Sequence, residues 1–163
     1  MMEHIPADAL VVLVGPSGSG KSTLARRQFP ADAILSSDAY RARVSGSEAN
    51  QSATPEAFRL LHVDAEVRLA AGLLTVIDAT NVLRDSRRPL LELAERYARP
   101  TVALVLDAQL TQCLAWNAAR PGRVVPSSVV RRQHQQLQRA LAGLQREGFD
   151  LVLRVTGQTT SPV

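Results

Sequence analysis

Five short runs of apolar residues, rich in valine, isoleucine and leucine, are spread along the chain. None shows the strict alternation of a half-exposed strand, and a continuous apolar run of this length is typical of a strand buried on both faces of a parallel sheet. The pattern therefore predicts strands over residues 10–14, 33–35, 74–77, 102–106 and 151–155, the last as an edge strand.

Segments with helical periodicity separate or follow these runs. The alternation of strand and helix predicts an α/β fold with right-handed crossovers and helices on both faces, in which ligands bind at the carboxyl ends of the strands. No repeat or Pro/Gly-rich linker divides residues 1–163, which predicts one domain. The predicted helices cover residues 22–28, 56–71, 86–98, 110–117 and 127–144.

A short turn joins the last two predicted helices. Pro121 and Gly122 lie between Arg120 and Arg123, so the chain is expected to reverse here. Residues of about 110–144 are thus predicted to form a helical hairpin lid that presents two arginines. The arginines either close over a bound polyphosphate or are only solvated beside the Pro-Gly turn.

A phosphate-binding motif follows the first predicted strand. Residues 15–22 match G-x-x-x-x-G-K-[ST] at every fixed position and lead directly into a predicted helix. Backbone N–H groups of such a loop bind nucleotide phosphates, the lysine reaches the β and γ oxygens, and the hydroxyl of the last residue is placed to bind magnesium. The predicted nucleotide-binding residues are Gly15, Ser17, Gly18, Ser19, Gly20, Lys21, Ser22 and Thr23.

The basic residues strengthen this prediction. The chain has 18 arginines and one lysine, and that lysine is Lys21. Arginine is a poor substitute there because its planar fork is longer and more rigid. The net charge is +4, and residues 120–163 carry seven basic and two acidic side chains. This excess indicates either a polyanionic partner or a solvated helix face.

Acidic residues follow two of the predicted strands. Asp38 comes after the second strand and Arg41 three residues later, so a helix from Asp38 would place a carboxylate base beside a cation for an anionic acceptor. Asp38 could equally cap that helix. Asp78 ends the third strand, where a carboxylate commonly holds magnesium directly or through water. Thr80 and Asn81, which follow, also suit a turn.

Two residues of the hairpin have structural interpretations. Trp116 lies one helical turn before Arg120 and is expected to pack in the core, with stacking on a nucleobase as the alternative. Cys113, the only cysteine, is predicted to be a small buried hydrophobe.

Several segments together carry a specific resemblance. They are the loop GPSGSGKST, the stretch SSDAYRARVSGSEANQSAT, the segment LTVIDATNV, the hairpin turn with Arg120 and Arg123, and the tail GLQREGF. Over about residues 10–155 the chain resembles the N-terminal 5′-OH polynucleotide kinase domain of bacterial polynucleotide kinase–phosphatase end-healing proteins. The resemblance implies a parallel sheet of the P-loop NTPase type.

The resemblance also implies an activity and roles for particular residues. The implied reaction transfers the γ-phosphate of ATP, with a divalent metal, to the 5′-OH end of RNA or DNA. Lys21 and Ser22 would hold phosphate and magnesium, Asp38 would be the general base, and Arg41 would bind the phosphate next to the acceptor nucleoside. The implied catalytic residues are Lys21, Asp38, Arg41, Arg120 and Arg123, with Gln51 and Thr80 on the acceptor side and Trp116, Arg120 and Arg123 near the nucleotide.

Other functions are compatible with the same motifs. A kinase of a small metabolite, nucleoside or antibiotic hydroxyl would use the same loop and the same Asp38, and a nucleotide-dependent switch would use the loop alone. In the resembled family this domain occurs beside phosphatase and ligase domains, so the chain is either free-standing or part of a longer protein. No signal-peptide pattern or long apolar run is found, and a cytoplasmic location is expected.

Overall fold

The fold is known from a computed structural model that describes the backbone of residues 2–156 and 159–162 and the side chains of residues 3–156. Its strands are β1 (Leu10–Val14), β2 (Ile34–Ser36), β3 (Thr75–Asp78), β4 (Thr101–Leu106), β5 (Leu151–Thr156) and β6 (Thr159–Pro162). Its α-helices are α1 (Lys21–Gln28), α2 (Ser37–Ser45), α3 (Thr54–Ala70), α4 (Arg84–Arg96), α5 (Leu110–Ala118) and α6 (Ser127–Leu141). Short 3-10 turns lie at Met2–His4, Ala31–Ala33, Gln51–Ala53 and Leu144–Arg146.

The strands form one sheet in the order β2-β3-β1-β4-β5-β6. The first five are parallel, and β6 is antiparallel to β5. The predicted strands are therefore confirmed to within one or two residues, but β5 is not the edge of the sheet. That prediction was wrong because the polar sequence of β6 has no apolar run that periodicity could detect.

Helices cover both faces of the sheet, as predicted. Leu10, Val12 and Val14 of β1 belong to a buried cluster with α3, α4 and α6. Val11 and Leu13 point to the other face and belong to a cluster with α1. Strand β1 is fully buried because apolar side chains cover both of its faces, which explains its continuous apolar run.

The carboxyl ends of β1, β2 and β3 meet at one edge of the sheet. In the parallel register Ser36 lies opposite Asp78, and Val12 lies opposite Ile77. The loop after β1, the start of α2 after β2 and the segment after β3 therefore converge on one region. Among the described residues no helix is long and apolar enough to cross a membrane.

Candidate active site

The loop after β1 is held in contact with α5. Gly18 and Gly20 have φ angles of +80° and +93°, which favour glycine. A Cβ atom on Gly18 would lie 2.1 Å from the carbonyl oxygen of Cys113, so the backbone of α5 leaves no room for a side chain. The Gly15 amide donates to the carbonyl oxygen of Thr80 at 2.9 Å. Cys113 itself is fully buried, as predicted.

Lys21 is the first residue of α1, and its ammonium is buried at the mouth of the loop. Its Nζ donates to the carbonyl oxygen of Pro16 at 2.8 Å. Burial lowers the pKa of Lys21 to about 8; nearby Asp78 opposes this shift and Arg120 adds to it. The lysine is therefore cationic at neutral pH but poorly compensated, an environment that a polyphosphate would improve.

Ser22 and Asp78 together form a candidate metal site. The Ser22 hydroxyl donates to Asp78 Oδ2 at 2.7 Å across the junction between α1 and β3. Among the described residues no group of three or more His, Cys, Asp or Glu side chains could hold a metal. Magnesium, however, is usually bound by one or two protein oxygens together with phosphate oxygens and waters, and a hydroxyl beside a carboxylate fits that ligand set.

Three arginines converge on Asp38. Arg120 Nη2 donates to Oδ2 at 2.8 Å, Arg123 Nη1 donates to Oδ1 at 3.2 Å, and Arg41 Nη1 also donates to Oδ1. The interpretation of Asp38 as a helix cap is wrong, because the Ser36 side chain caps α2 by accepting from the Ala39 amide. The interpretation of Arg120 and Arg123 as merely solvated residues is also wrong, because both side chains donate hydrogen bonds to Asp38.

Arg41 is buried on α2 and faces the start of α3. Its Nε donates to Thr54 Oγ1 at 3.0 Å, and its guanidinium lies 6.0 Å from the centre of the Phe58 ring. Burial, and next the charge of Arg123, lower the pKa of Arg41. No partner of Arg41 Nη2 is found among residues 3–156, so this nitrogen is available to an anion.

The turn of the α5–α6 hairpin lies against the segment before α3. With its amide oxygen turned toward Arg123, Gln51 accepts from Nε and Nη2 of that arginine, both at 2.9 Å. On the same side, a Cβ atom on Gly122 would lie 1.8 Å from Glu48 Oε1. The structure therefore brings Gln51 together with Asp38, Arg41, Arg120 and Arg123.

Trp116 is not in the core, contrary to the expectation. It is 48% exposed, and its ring edge would lie 3.5 Å from a Cβ atom on Gly20. Helix α5 buries the face that carries Cys113 and Asn117, and Trp116 lies beside that face rather than on it. The indole therefore flanks the phosphate-binding loop, where stacking on a nucleobase is open to it.

Thr80 and Asn81, which follow the end of β3, differ in role. Asn81 has a φ of 47° and is buried, and its Nδ2 donates to the carbonyl oxygen of Leu13 at 2.8 Å. This confirms turn chemistry for Asn81, which ties β3 to β1. Thr80 contributes its carbonyl oxygen to the Gly15 amide, and its side chain is partly exposed. A contact of Thr80 with the acceptor stays a prediction.

Sequence reasoning missed two residues that support the site. Gln133 Oε1 accepts from the Ser17 amide of the loop at 2.9 Å. The sequence carried a signal for this contact. Gln133 lies three positions after Val130 and four before Leu137, so it is a polar residue on the buried face of a helix. Arg87 donates to the Asn81 carbonyl oxygen at 2.8 Å, and nothing in the local sequence marks that contact.

This fold and loop define an α/β protein of the P-loop class, with the phosphate-binding loop between β1 and α1 and a carboxylate with three arginines beside it. The chain belongs to the family described as AAA domain, whose model matches residues 10–144. It is a kinase-type P-loop protein. A comparison with curated protein sequences finds no match.

Solved structures share the fold at low sequence identity. A crystal structure of AvrRxo1-ORF1:AvrRxo1-ORF2 with sulphate ions has a TM-score of 0.72 at 16% identity, covering 95% of this chain and 57% of that chain. The Pnkp1/Rnl/Hen1 RNA repair complex has a TM-score of 0.68 at 20% identity, covering 94% and 48%. A sugar kinase from Janibacter sp. HTCC2649 has a TM-score of 0.51 at 23% identity, covering 86% and 95%. The chain thus spans about half the length of the first two.

Proposed function

We propose that the protein is an ATP-dependent polynucleotide 5′-hydroxyl kinase that phosphorylates RNA or DNA ends. The observation that carries the proposal is the convergence of Arg41, Arg120 and Arg123 on the Asp38 carboxylate beside the phosphate-binding loop. A carboxylate surrounded by three cations suits a reaction that brings an ATP polyphosphate and an anionic acceptor to one place. The likeness of fold to the Pnkp1 complex agrees with it.

The loop side of the site would bind the donor. The amides of residues 15–22 and the ammonium of Lys21 hold the β- and γ-phosphates, and Trp116 stacks on the nucleobase. Ser22 and Asp78 would hold a magnesium ion, which when bound neutralises charge that develops on the transferring phosphoryl group. The Ser22 hydroxyl oxygen and the Asp78 carboxylate would supply the protein oxygens for that ion.

The arginine side of the site would bind the acceptor and complete the reaction. The oxygen of the 5′-hydroxyl forms a bond to the γ-phosphorus while Asp38 accepts the proton of that hydroxyl. The bond from the γ-phosphorus to the β,γ-bridging oxygen breaks, and ADP leaves. Arg41 Nη2 binds the phosphate on the 3′ side of the acceptor nucleoside. Arg120 and Arg123 exchange their contacts with Asp38 for the more highly charged triphosphate, which frees the base.

The exchange of arginine partners gives the α5–α6 hairpin a role as a lid of a single kinase domain over residues 1–163. Arg120 and Arg123 flank the turn of the hairpin. When the hairpin moves toward the triphosphate, both arginines therefore leave Asp38 at the same time. The partners of the protein are 5′-OH polynucleotide ends, and within a longer native protein they would include phosphatase and ligase domains.

The proposal is tested by comparing a nucleoside with its 3′-phosphate as acceptor. We expect kcat/KM to be higher for the 3′-phosphate by about 100-fold or more, and Arg41→Gln to remove most of that preference. Arg43→Gln on the same helix is the matched control, because its side chain is 60% exposed and outside the site. Equal kcat/KM for both acceptors would favour a kinase of small hydroxyl compounds, and ATP hydrolysis that no acceptor changes would favour a nucleotide switch.

The role of Trp116 has its own test. We expect Trp116→Ala to weaken ATP binding by about 5-fold or more, since stacking of an aromatic side chain on a base contributes on the order of 1–3 kcal/mol. Binding of inorganic tripolyphosphate, which has no base, is expected to stay the same. Calorimetric titration measures both, and an equal loss for ATP and tripolyphosphate would show that Trp116 acts only on the shape of the loop.

A further inference from the structure

A second concave region lies outside the site described above. It is an open groove of about 550 Å³ between the start of α4 and the second half of α6, continuing to the 3-10 turn Leu144–Arg146. We call it the α4–α6 groove. Its lining includes Val82, Leu83, Arg84, Arg87, Arg139, Arg146 and Glu147.

The α4–α6 groove presents a net positive charge to solvent. Arg84, Arg139 and Arg146 are exposed, and no ion pair or side-chain hydrogen bond of theirs is found among residues 3–156. The one acidic lining residue, Glu147, accepts from Nε and Nη2 of buried Arg87 at 2.8 and 2.5 Å. That pair cancels its own charge, so three arginines determine the potential of the groove.

The groove continues from the candidate active site. Val82 and Leu83, which form one wall, follow Asn81 at the carboxyl end of β3, and Leu83 is 48% exposed. On the other wall, Gln133 of α6 contacts the phosphate-binding loop, and Arg139 lies six residues further along, about 9 Å along a helix axis. Measured from the phosphate-binding loop, where the transferred phosphoryl group meets the acceptor end, this distance equals about three stacked nucleotides at roughly 3.4 Å each.

We propose that the α4–α6 groove binds the phosphodiester backbone of the acceptor strand, a few nucleotides beyond its 5′ end. The inference rests on the proposed function and extends it from the terminal nucleotide to a polymeric substrate. Three separated guanidinium groups match successive phosphates better than one small anion, because each can bind a phosphate with two parallel hydrogen bonds. No aromatic side chain lines the groove, so it recognises the backbone and not the bases.

The neighbouring surface limits the path of the strand. A second recess beyond Arg84 is lined by Glu92, Glu95 and Glu147 together with Arg88. Arg84 also lines this recess, but its glutamates offset its arginines, so it attracts a polyanion less than the α4–α6 groove does. The strand is therefore expected to follow α6 toward Arg139 and Arg146 instead of continuing along α4.

The experiment measures KM for 5′-OH oligonucleotides of two to ten nucleotides. For the wild-type protein KM is expected to fall about 10-fold or more between the dinucleotide and the hexanucleotide. In Arg139→Ala/Arg146→Ala the fall is lost, while kcat and KM for a nucleoside 3′-phosphate stay at wild-type values. The matched control is Arg131→Ala/Arg132→Ala, which removes the same charge from exposed positions of α6 outside the groove and keeps the fall.

A binding measurement separates this proposal from the proposed function. We call Arg139→Ala/Arg146→Ala the groove variant. Fluorescence anisotropy of a hexanucleotide is used to measure the binding constant at several salt concentrations. In a plot of the logarithm of the binding constant against the logarithm of salt concentration, the slope of the groove variant is expected to be less steep by about 1.4, for two lost phosphate contacts on a single strand. If no acceptor is phosphorylated, the proposed function fails, yet a loss of oligonucleotide binding confined to the groove variant still supports the groove.

Three results would overturn the proposal. They are a wild-type KM that does not change with length, a groove variant that behaves like the control in both measurements, and polyglutamate binding that the groove variant loses while oligonucleotide binding stays intact. The last result would assign the groove to an acidic protein segment.

Discussion

At the scale of single residues, the site depends on one carboxylate that three arginines share. Asp38 is 18% exposed and has Arg41 three positions away on the same helix, whereas Arg120 and Arg123 come from the hairpin turn. To act as a base, this carboxylate must first lose some of these contacts. The arginines are thus both its counter-ions and the groups that a triphosphate would attract away from it.

Asp38→Asn tests the assignment of the base. The amide keeps the size of the side chain but cannot take a proton, so we expect kcat to fall by about 100- to 10,000-fold. ATP affinity is expected to change by less than about threefold, as measured by calorimetric titration. Asp85→Asn, an exposed acidic residue at the start of α4, is the control and should keep full activity. Substantial phosphate transfer by Asp38→Asn would contradict the role.

Lys21 predicts a pH dependence of ATP binding. Burial lowers its pKa to about 8 in the nucleotide-free protein, and a bound phosphate favours the charged form. Above pH 8 the free protein must take up a proton to bind, so ATP affinity should be constant from pH 6.5 to 7.5 and then fall by up to about tenfold per pH unit. Arg at this position does not titrate, so Lys21→Arg should bind more weakly but with a flat profile. A flat wild-type profile to pH 9.5 would refute the assignment.

At the scale of secondary-structure elements, the phosphate-binding loop and the α5–α6 hairpin form one unit. The loop packs on the backbone of α5 through Gly18, and the Ser17 amide donates to Gln133 of α6. Asn117 of α5 also exchanges two hydrogen bonds with the backbone of Val125 before α6. Movement of the hairpin is therefore expected to shift the phosphate-binding loop as well, which couples nucleotide binding to the position of the arginines in the turn.

Gly18→Ala tests the contact between the loop and α5. A Cβ atom there would lie 2.1 Å from the Cys113 carbonyl oxygen and 2.9 Å from the Asn117 amide nitrogen, in addition to the unfavourable φ. We expect ATP binding to be lost and unfolding free energy to fall by more than about 2 kcal/mol. Gly46→Ala is the matched control, because Gly46 has a φ of +77° but a Cβ atom there would have no neighbour within 4 Å. This change should lower the free energy of unfolding by only about 1 kcal/mol. Equal costs in denaturant titrations would argue against the packing.

At the scale of the whole molecule, a buried ion pair joins the start of α4 to the last turn before β5. The side chains of Arg87 and Glu147 are 2% and 10% exposed, and Arg87 also holds the Asn81 carbonyl oxygen next to the site. Residues 60 positions apart in the chain thus support the carboxyl end of β3. The pair contributes to the floor of the α4–α6 groove as well as to stability.

Glu147→Gln tests that pair. The change leaves the Arg87 charge buried without its counter-ion, and breaking a buried pair costs about 3–5 kcal/mol. Glu92→Gln is the control, because it breaks the Arg88–Glu92 pair, whose side chains are 73% and 58% exposed. This change should lower the free energy of unfolding by less than about 1 kcal/mol. Denaturant unfolding measures both, and similar costs would show that the buried pair is not a major source of stability.

The sequence predicts the fold well because its signals are local. Apolar runs mark the five parallel strands, and the loop motif is one continuous segment. Contacts between distant positions are a different matter: Asp38 and Arg120 are 82 residues apart, and no pattern near either position indicates the pairing. The resemblance grouped these residues, but only the tertiary fold shows their contacts.

Two errors have the same physical origin. Trp116 was expected in the core because a large aromatic side chain is usually buried, yet the face of α5 that packs inward is set by neighbours far along the chain. The edge strand β6 is polar, and its pairing with β5 is a tertiary event that hydrophobic periodicity cannot report. Both depend on what packs against an element and not on the element alone.

Phosphate transfer to a 5′-OH oligonucleotide is the decisive test of the proposed kinase activity. The protein is incubated with magnesium, ATP labelled at the γ-phosphate and a decamer that carries either a 5′-hydroxyl or a 5′-phosphate. We expect label at the 5′ end of the hydroxyl decamer, none on the 5′-phosphorylated decamer, and none with Lys21→Ala. Absence of transfer to the hydroxyl decamer by a protein that still binds ATP would contradict the proposed activity.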